Sequence, residues 1–309
     1  MKPHHSENGH LRDFTTDARV LTIATIAVVV ATAGLFAGIA LLKLIRLATN
    51  IAYFGQFTLA DLKLQDTPLG LAAVVVPVIG ALVIGLMARY GSEKIRGHGI
   101  PEAIEAILLG RSKLGAKVAI LKPLSSAISI GSGGPFGAEG PIIMTGGAIG
   151  SLIAQHFHLT AAERKALLVA GATAGMTAVF GTPVAAVLLA VELLLFELRP
   201  RSLLPVAVAC AVAGFTRPLL MDAGPLFPLQ TAVPGPLAML SCVAAGLLCG
   251  ALSASLSISL YKVEDLFGKL PIHWMWWPAI GGLAVGIGGY FEPRALGVGY
   301  DVIGDLLHN

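Results

Sequence analysis

The chain has 309 residues, of which 55% are hydrophobic and only 13% charged. Soluble globular proteins carry about 25% charged residues, so the solvent for most of this chain is lipid. A net charge of +3 and 6% aromatic residues leave no footprint for nucleic acid.

The polar tail MKPHHSENGH brings His4, His5 and His10 close in sequence. A weak metal site is one reading of it, a disordered or tag-like tail the other. The first apolar run, Val20–Ile45, is too long for a signal-peptide core and long enough to span a bilayer. Pro68–Arg89 gives a second span. After it the pieces shorten: Ala103–Leu109, then Val118–Ile130, then Pro141–His156 starting at a proline. Ala161–Phe180 and Pro183–Glu197 are divided by a GTP turn. Leu203–Met221, Leu237–Tyr261 and Met275–Phe291 complete the apolar set. No alternating strand pattern occurs, which excludes a β-barrel.

Lysine and arginine set the orientation. The tail carries Lys2, Arg12 and Arg19, and the segment after the second span carries Arg89, Lys94, Arg96, Arg111, Lys113 and Lys117. The loop between the first two spans is poorer, which places the N-terminus in the cytoplasm. Cys210, Cys242 and Cys249 all lie in apolar runs without ligand spacing, so they are expected as buried small hydrophobes.

An internal repeat is visible. IGALVIGL at 79–86 matches IGGLAVGI at 280–287. Each copy leads to a G-x-G, Gly97-His98-Gly99 and Gly297-Val298-Gly299, and then to an acidic-apolar stretch, EAIEAIL and DVIGDLL. Chance likeness between greasy segments is the competing explanation. Duplicated halves, often inverted in the membrane, are common in transporters.

The stretch GSGGPFGAEGP at 131–141 puts glycines, prolines and one carboxylate, Glu139, between two apolar segments. A carboxylate at membrane depth costs roughly 2.5–3.5 kcal/mol on insertion scales. Pro141 suits a first helical turn, so the loop is read as leading into a helix N-terminus. Free backbone N–H groups and about half a positive charge collect there. With glycines allowing close approach, this describes a loose anion site made without a full positive charge. Glu139 would compete for that site and leave it on protonation. A simple helix-capping carboxylate is the plainer alternative. RGHGIPEAIEAI at 96–107 repeats the logic, with Pro101 opening a short amphipathic helix; a plain turn is its alternative.

These segments resemble the CLC family of chloride channels and chloride/proton antiporters. GHGIPE is similar to that family's first selectivity segment, G-S-G-I-P, and GAEGP to its G-R-E-G-P segment. FGTPVAAVLLAVE at 180–192 and PAIGGLAVGIGGYFEPRALGVGYDVI resemble two further family stretches. The resemblance implies an all-α polytopic membrane protein of broken and tilted helices, an inverted-repeat CLC-like architecture whose second repeat is incomplete. It implies a cytoplasmic tail at 1–19, a first repeat at 20–221 and the start of a second at 222–309. The anion path would be lined by His98, Gly99, Ile100, Gly137, Ala138, Glu139 and Gly140, with Glu139 as the gate. His98 stands where the family usually has serine, and Ala138 where it has arginine. Lys122 falls on a lysine near the ion path and Glu192 on a retained acidic residue. Leu193 takes the place where proton-coupled members often carry a glutamate, which leans towards channel-like or weakly coupled transport.

The implied function is movement of a small inorganic anion, most plausibly chloride and possibly with protons, without covalent chemistry and with no cofactor. Family members are homodimers. The G-x-F-x-P segment and late tyrosine of the family's second half are absent, so about half an anion site is expected here. The rival expectation is a truncated membrane protein that does not transport, but packs or pairs with a complementary chain.

Overall fold

A computed structural model describes residues 18–221, 224, 226–229, 233 and 235–308. The tail with its three histidines and cytoplasmic assignment, and the repeat boundary at 222, lie outside the described residues. Among the described residues every regular element is helical.

Helix α1, Ala18–Phe54, begins where the apolar run begins but continues nine residues beyond Ile45. Lys43 and Arg46 do not end it, because Leu41, Ile45 and Tyr53 continue the buried face. The chain beyond α1 is tied back by Asn50, whose Nδ2 donates to the carbonyls of Thr58 (2.8 Å) and Ala60 (2.9 Å). The second predicted span divides into a 3-10 turn, Gly70–Val74, and α2, Val75–Tyr90. The short elements then follow as α3 (Ile100–Leu108), α4 (Ala116–Gly131) and α5 (Glu139–Gln155).

Helix α6, Ala161–Phe180, is the centre of the packing. Every residue from Ala166 to Val179 is buried, beneath α1, α5 and α8. Thr160 caps its start: the hydroxyl accepts from the Glu163 N–H (3.3 Å), and Glu163 accepts in return from the Thr160 N–H (2.7 Å). Gly181, at φ +69°, ends it in the left-handed conformation open to glycine. Small residues let the backbones of α5 and α6 nearly touch. A methyl group on Gly171 would stand 2.2 Å from the Gly146 carbonyl, and one on Gly146 would stand 2.3 Å from that of Gly171. This is how helices pack in lipid, where apolar side chains gain nothing by leaving the solvent.

The next segment forms α7, Pro183–Leu189, and a π-turn, Ala190–Leu195. Then come α8 (Pro200–Leu220), α9 (Pro236–Gly268), α10 (Trp277–Phe291) and α11 (Tyr300–His308). Among the described residues four helical stretches are long and apolar enough to cross a membrane: Arg19–Phe54, Gly70–Tyr90, Pro200–Leu220 and Pro236–Gly268. Helix α9 has no buried residue along its 33-residue length, and neither has the short α11. The expectation of three buried cysteines is corrected here. Cys210 is buried, but Cys242 and Cys249 are exposed because they sit on α9.

The helices that carry the two similar apolar octapeptides, α2 and α10, pack against each other, with the second octapeptide set against residues just ahead of the first. A Cβ on Gly282 would come within 2.7 Å of the Pro77 carbonyl, and one on Gly286 within 2.1 Å of that of Val74. Local structure also recurs at an offset of 200 residues. The 3-10 turns Glu93–Ile95 and Pro293–Ala295 are followed by glycines at φ +75° (Gly97) and +74° (Gly297), then by α3 and α11.

Candidate functional site

Two glycine-bearing loops meet where α3 and α5 begin, and a third, ahead of α11, reaches the second of them at Gly133. The first, Gly97–Gly99, needs glycine at both ends: φ is +75° at Gly97 and +115° at Gly99. Two side chains hold it. Glu102, in the first turn of α3, accepts a hydrogen bond from the Gly99 N–H at 2.8 Å. Lys122, in the middle of α4 and 2% exposed, donates from Nζ to the carbonyls of Gly97 (2.7 Å) and Ile95 (3.1 Å). A lysine inside an apolar helix needs either a partner or a route to snorkel; Lys122 has partners, the backbone oxygens of Gly97 and Ile95.

The second loop runs from the end of α4 to the start of α5. Its turns close through Gly133 N–H to Ile130 O (3.0 Å) and Gly134 N–H to Ser129 O (2.9 Å). Tyr53, in the last turn of α1, donates to the Ser132 carbonyl at 3.0 Å. Helix α5 opens at Glu139, two residues ahead of the expected proline, with buried Ala138 as its cap residue. Pro141 therefore falls inside the first turn, among N–H positions that have no intrahelical partner, so its missing N–H is no loss. Ala138 has no polar side chain to cap the helix, and Glu139 is the acidic residue of its first turn. The Glu139 carboxylate doubles back over its own loop: a Cβ on Gly137 would stand 1.9 Å from Oε2.

The first two loops abut backbone to backbone. A Cβ on Gly140 would lie 2.0 Å from the His98 carbonyl and 3.2 Å from its ring Nδ1, and one on Gly99 would lie 2.4 Å from the Gly140 carbonyl. The starts of a nine-residue helix and a seventeen-residue helix thereby share one corner, where the partial positive ends of both add. The third loop joins through the Gly297 N–H, which donates to the Gly133 carbonyl at 3.3 Å. This brings Tyr300 to the site, with its ring edge-on to Phe180 (6.3 Å) and Phe227 (6.2 Å).

Of the residues singled out from sequence, His98, Gly99, Ile100, Gly137, Ala138, Glu139 and Gly140 gather at this corner, and Lys122 supports it from behind. Glu192 does not join them: it is exposed, on the π-turn after α7. Three contributors were missed. Glu102 was legible as the acidic residue three positions after Gly99. Tyr300 occupies, 200 positions on, the place that Ile100 has after its own G-x-G. Nothing local marks Tyr53. Among the described residues no cluster of three or more His, Cys, Asp or Glu could hold a metal ion.

The arrangement can hold a small anion through N–H groups and helix ends, with a carboxylate folded over the same loop. Residues 79–309 match the family described as voltage gated chloride channel. The chain is 29% identical over 243 residues to a ClcB-like protein of Ralstonia nicotianae, covering 77% of this chain and 56% of that protein. It is 28% identical over 305 residues to the H+/Cl− exchange transporter ClcA of Citrobacter koseri, covering 94% and 62%. It therefore spans roughly six-tenths of the length of these relatives. Among solved structures, a slow cyanobacterial Cl−/H+ antiporter superposes with a TM-score of 0.74 at 22% identity, covering 94% of this chain and 68% of the other. A CLC-type fluoride/proton antiporter gives 0.73 at 20% identity, covering 94% and 70%. These likenesses establish the all-helical fold.

Proposed function

The chain belongs to the voltage gated chloride channel family, an integral membrane family of channels and transporters, and on that premise we propose that it carries a small inorganic anion, chloride first, across the bilayer. The observation that supports this best is the corner where the His98 carbonyl backs onto Gly140 while Glu139 folds over Gly137. Two helix starts converge there, and the nearby Lys122 ammonium is taken up by two carbonyls rather than offered to an ion. Anions bound by N–H dipoles alone are held loosely enough to leave. Glu139 is the gate in this reading: ionised, it occupies the anion's place; protonated, it vacates it. His98, Gly99, Ile100, Gly137, Ala138 and Gly140 line the path.

We also propose that residues 20–221 form the first repeat, that 222–309 open the second, inverted one, and that the N-terminus is cytoplasmic. The recurrence of turn, glycines and nine-residue helix at a 200-residue offset supports the repeat. Chloride efflux from liposomes containing the purified chain tests the function. Efflux that Glu139→Gln makes faster and less dependent on pH supports the gate; efflux indifferent to that change refutes it. Proton movement in the same vesicles separates a channel from an antiporter. The bare flank of α9 favours a second reading, in which a further helical layer, on this chain or a complementary one, must cover α9 before flux occurs. No efflux from residues 1–309 alone, restored by such a layer, would select it. Chemical cross-linking in membranes tests for a homodimer, the assembly that the family resemblance implies.

A further inference from the structure

All three tryptophans of the chain, Trp274, Trp276 and Trp277, fall in one turn at the start of α10. His273 closes that turn: its Nδ1 accepts from the Met275 N–H at 3.3 Å, and its carbonyl accepts from the Trp276 N–H at 3.0 Å. Two of the membrane-long stretches end beside it. Met275 is buried against the last turns of α2, where a Cβ on Gly85 would stand 2.5 Å from the Met275 carbonyl. Phe267, in the last turn of α9, lies 6.1 Å ring to ring from Trp277. Trp276 is 49% exposed. Tryptophans at the ends of spans sit at the level of the lipid headgroups.

Cations gather on the same turn. The Arg96 guanidinium lies over the Trp274 ring at 4.2 Å. The Arg89 guanidinium lies over Tyr90 at 5.6 Å and reaches the Met275 sulfur at 4.0 Å. Residues 89–96 carry three cations, Arg89, Lys94 and Arg96, against one carboxylate, Glu93. All four are exposed, and among the described residues none of them forms an ion pair. The end of α9 adds exposed Lys262 and Lys269 against exposed Glu264 and Asp265. A guanidinium stacked on a ring uses its face and keeps its edge N–H donors for a phosphate.

We propose that this patch binds the phosphate headgroup of an anionic phospholipid, held by Arg89, Lys94 and Arg96, with the acyl chains beside Trp276. Charge complementarity selects this occupant: exposed cations without carboxylate partners stand next to indoles at headgroup depth. In the orientation proposed above the patch faces the cytoplasmic leaflet, whose negative lipids attract basic residues next to a span. Arg96 also lies between Ile95 and Gly97, whose carbonyls Lys122 holds. One short segment therefore carries both the patch and the first glycine loop. Binding of such a lipid does not depend on whether the chain conducts.

The tryptophan fluorescence of the whole chain arises from this turn and serves as the probe. The purified chain is placed in phosphatidylcholine vesicles with increasing amounts of phosphatidylglycerol or phosphatidylcholine brominated on the same acyl carbons. Brominated phosphatidylglycerol should reach half-quenching at a mole fraction about fivefold lower, the gain expected from one basic residue at an anionic surface. High salt, or Arg89→Gln combined with Arg96→Gln, should shrink that preference to less than about twofold. Lys94→Gln changes an exposed side chain with no hydrogen bond or ion pair among the described residues, so it serves even if the arginine variant fails to fold. It should reduce the preference by about half. Equal quenching by the two lipids overturns the site. So does a preference that survives the arginine replacements, or one that neither Lys94→Gln nor salt changes.

Discussion

The carbonyl of His98 lies so close to Gly140 that a methyl group added to that glycine would stand 2.0 Å from the oxygen. No side chain fits between them. The corner where α3 and α5 begin is thus built by backbone alone, and its spacing follows from two glycines, Gly99 and Gly140, whose missing Cβ atoms would each strike the other loop.

Gly140→Ala should therefore separate the loops and lower chloride efflux at least tenfold. The matched control is Gly147→Ala, two turns further along α5, where the added carbon would meet the flexible Leu168 Cδ2 at 3.3 Å. That variant should keep most of the efflux. Equal losses in both would mean that the corner has no special role.

Lys122→Met removes two charge-assisted hydrogen bonds and leaves the Gly97 and Ile95 carbonyls unpaired. Bonds to charged groups contribute about 1.5–3 kcal/mol each, with the methionine stem restoring part of the packing. A net loss of about 2–4 kcal/mol is expected, read as a lowered thermal midpoint in detergent. An unchanged midpoint would show that the loop holds itself without the lysine.

Helix packing gives a cleaner contrast. Gly171→Ala drives a carbon to 2.2 Å from the Gly146 carbonyl, at the centre of the α5–α6 contact. It should cost about 1–3 kcal/mol as overpacking, or prevent folding. Gly246→Ala on α9 meets nothing within 4 Å and should be neutral, or stabilising by about 0.5–1 kcal/mol through helix propensity. Thermal unfolding of both variants checks the pair; a large loss at Gly246 would mean that α9 is covered in the membrane.

The start of α6 depends on Thr160 and Glu163. Thr160→Ala removes the capping hydroxyl and should cost about 1 kcal/mol, while Thr160→Ser should recover most of it. A drop of a few degrees in the thermal midpoint, restored by serine, is the expected result.

Much of this was readable before any coordinates. Helix α6 begins and ends where the apolar stretch does, because Thr160, Glu163 and Gly181 are stop and start signals within a few residues of its ends. The G-x-G loops, Pro101 and the isolated carboxylate likewise announced themselves locally. The misreadings have a common source. Cys242 and Cys249 looked buried because their neighbours are apolar, yet apolar neighbours along a helix do not say what lies across from it. Glu192, matched to a retained acidic residue, is likewise placed by its surroundings and not by its neighbours in sequence: it is exposed on the π-turn after α7.

Composition, span lengths, glycine positions and proline positions determined by themselves that this is a helical membrane protein with broken helices around a glycine-framed carboxylate. Those properties act over one or two turns of chain, so the residues carry them wherever they are placed. Tertiary structure alone decided that His98 backs onto Gly140, that Lys122 reaches the carbonyls of Ile95 and Gly97, and that the Gly297 N–H comes to the Gly133 carbonyl from the other end of the chain. Such meetings depend on which glycine-lined faces can approach within backbone contact, and that is settled by whole helices packing together rather than by any short stretch.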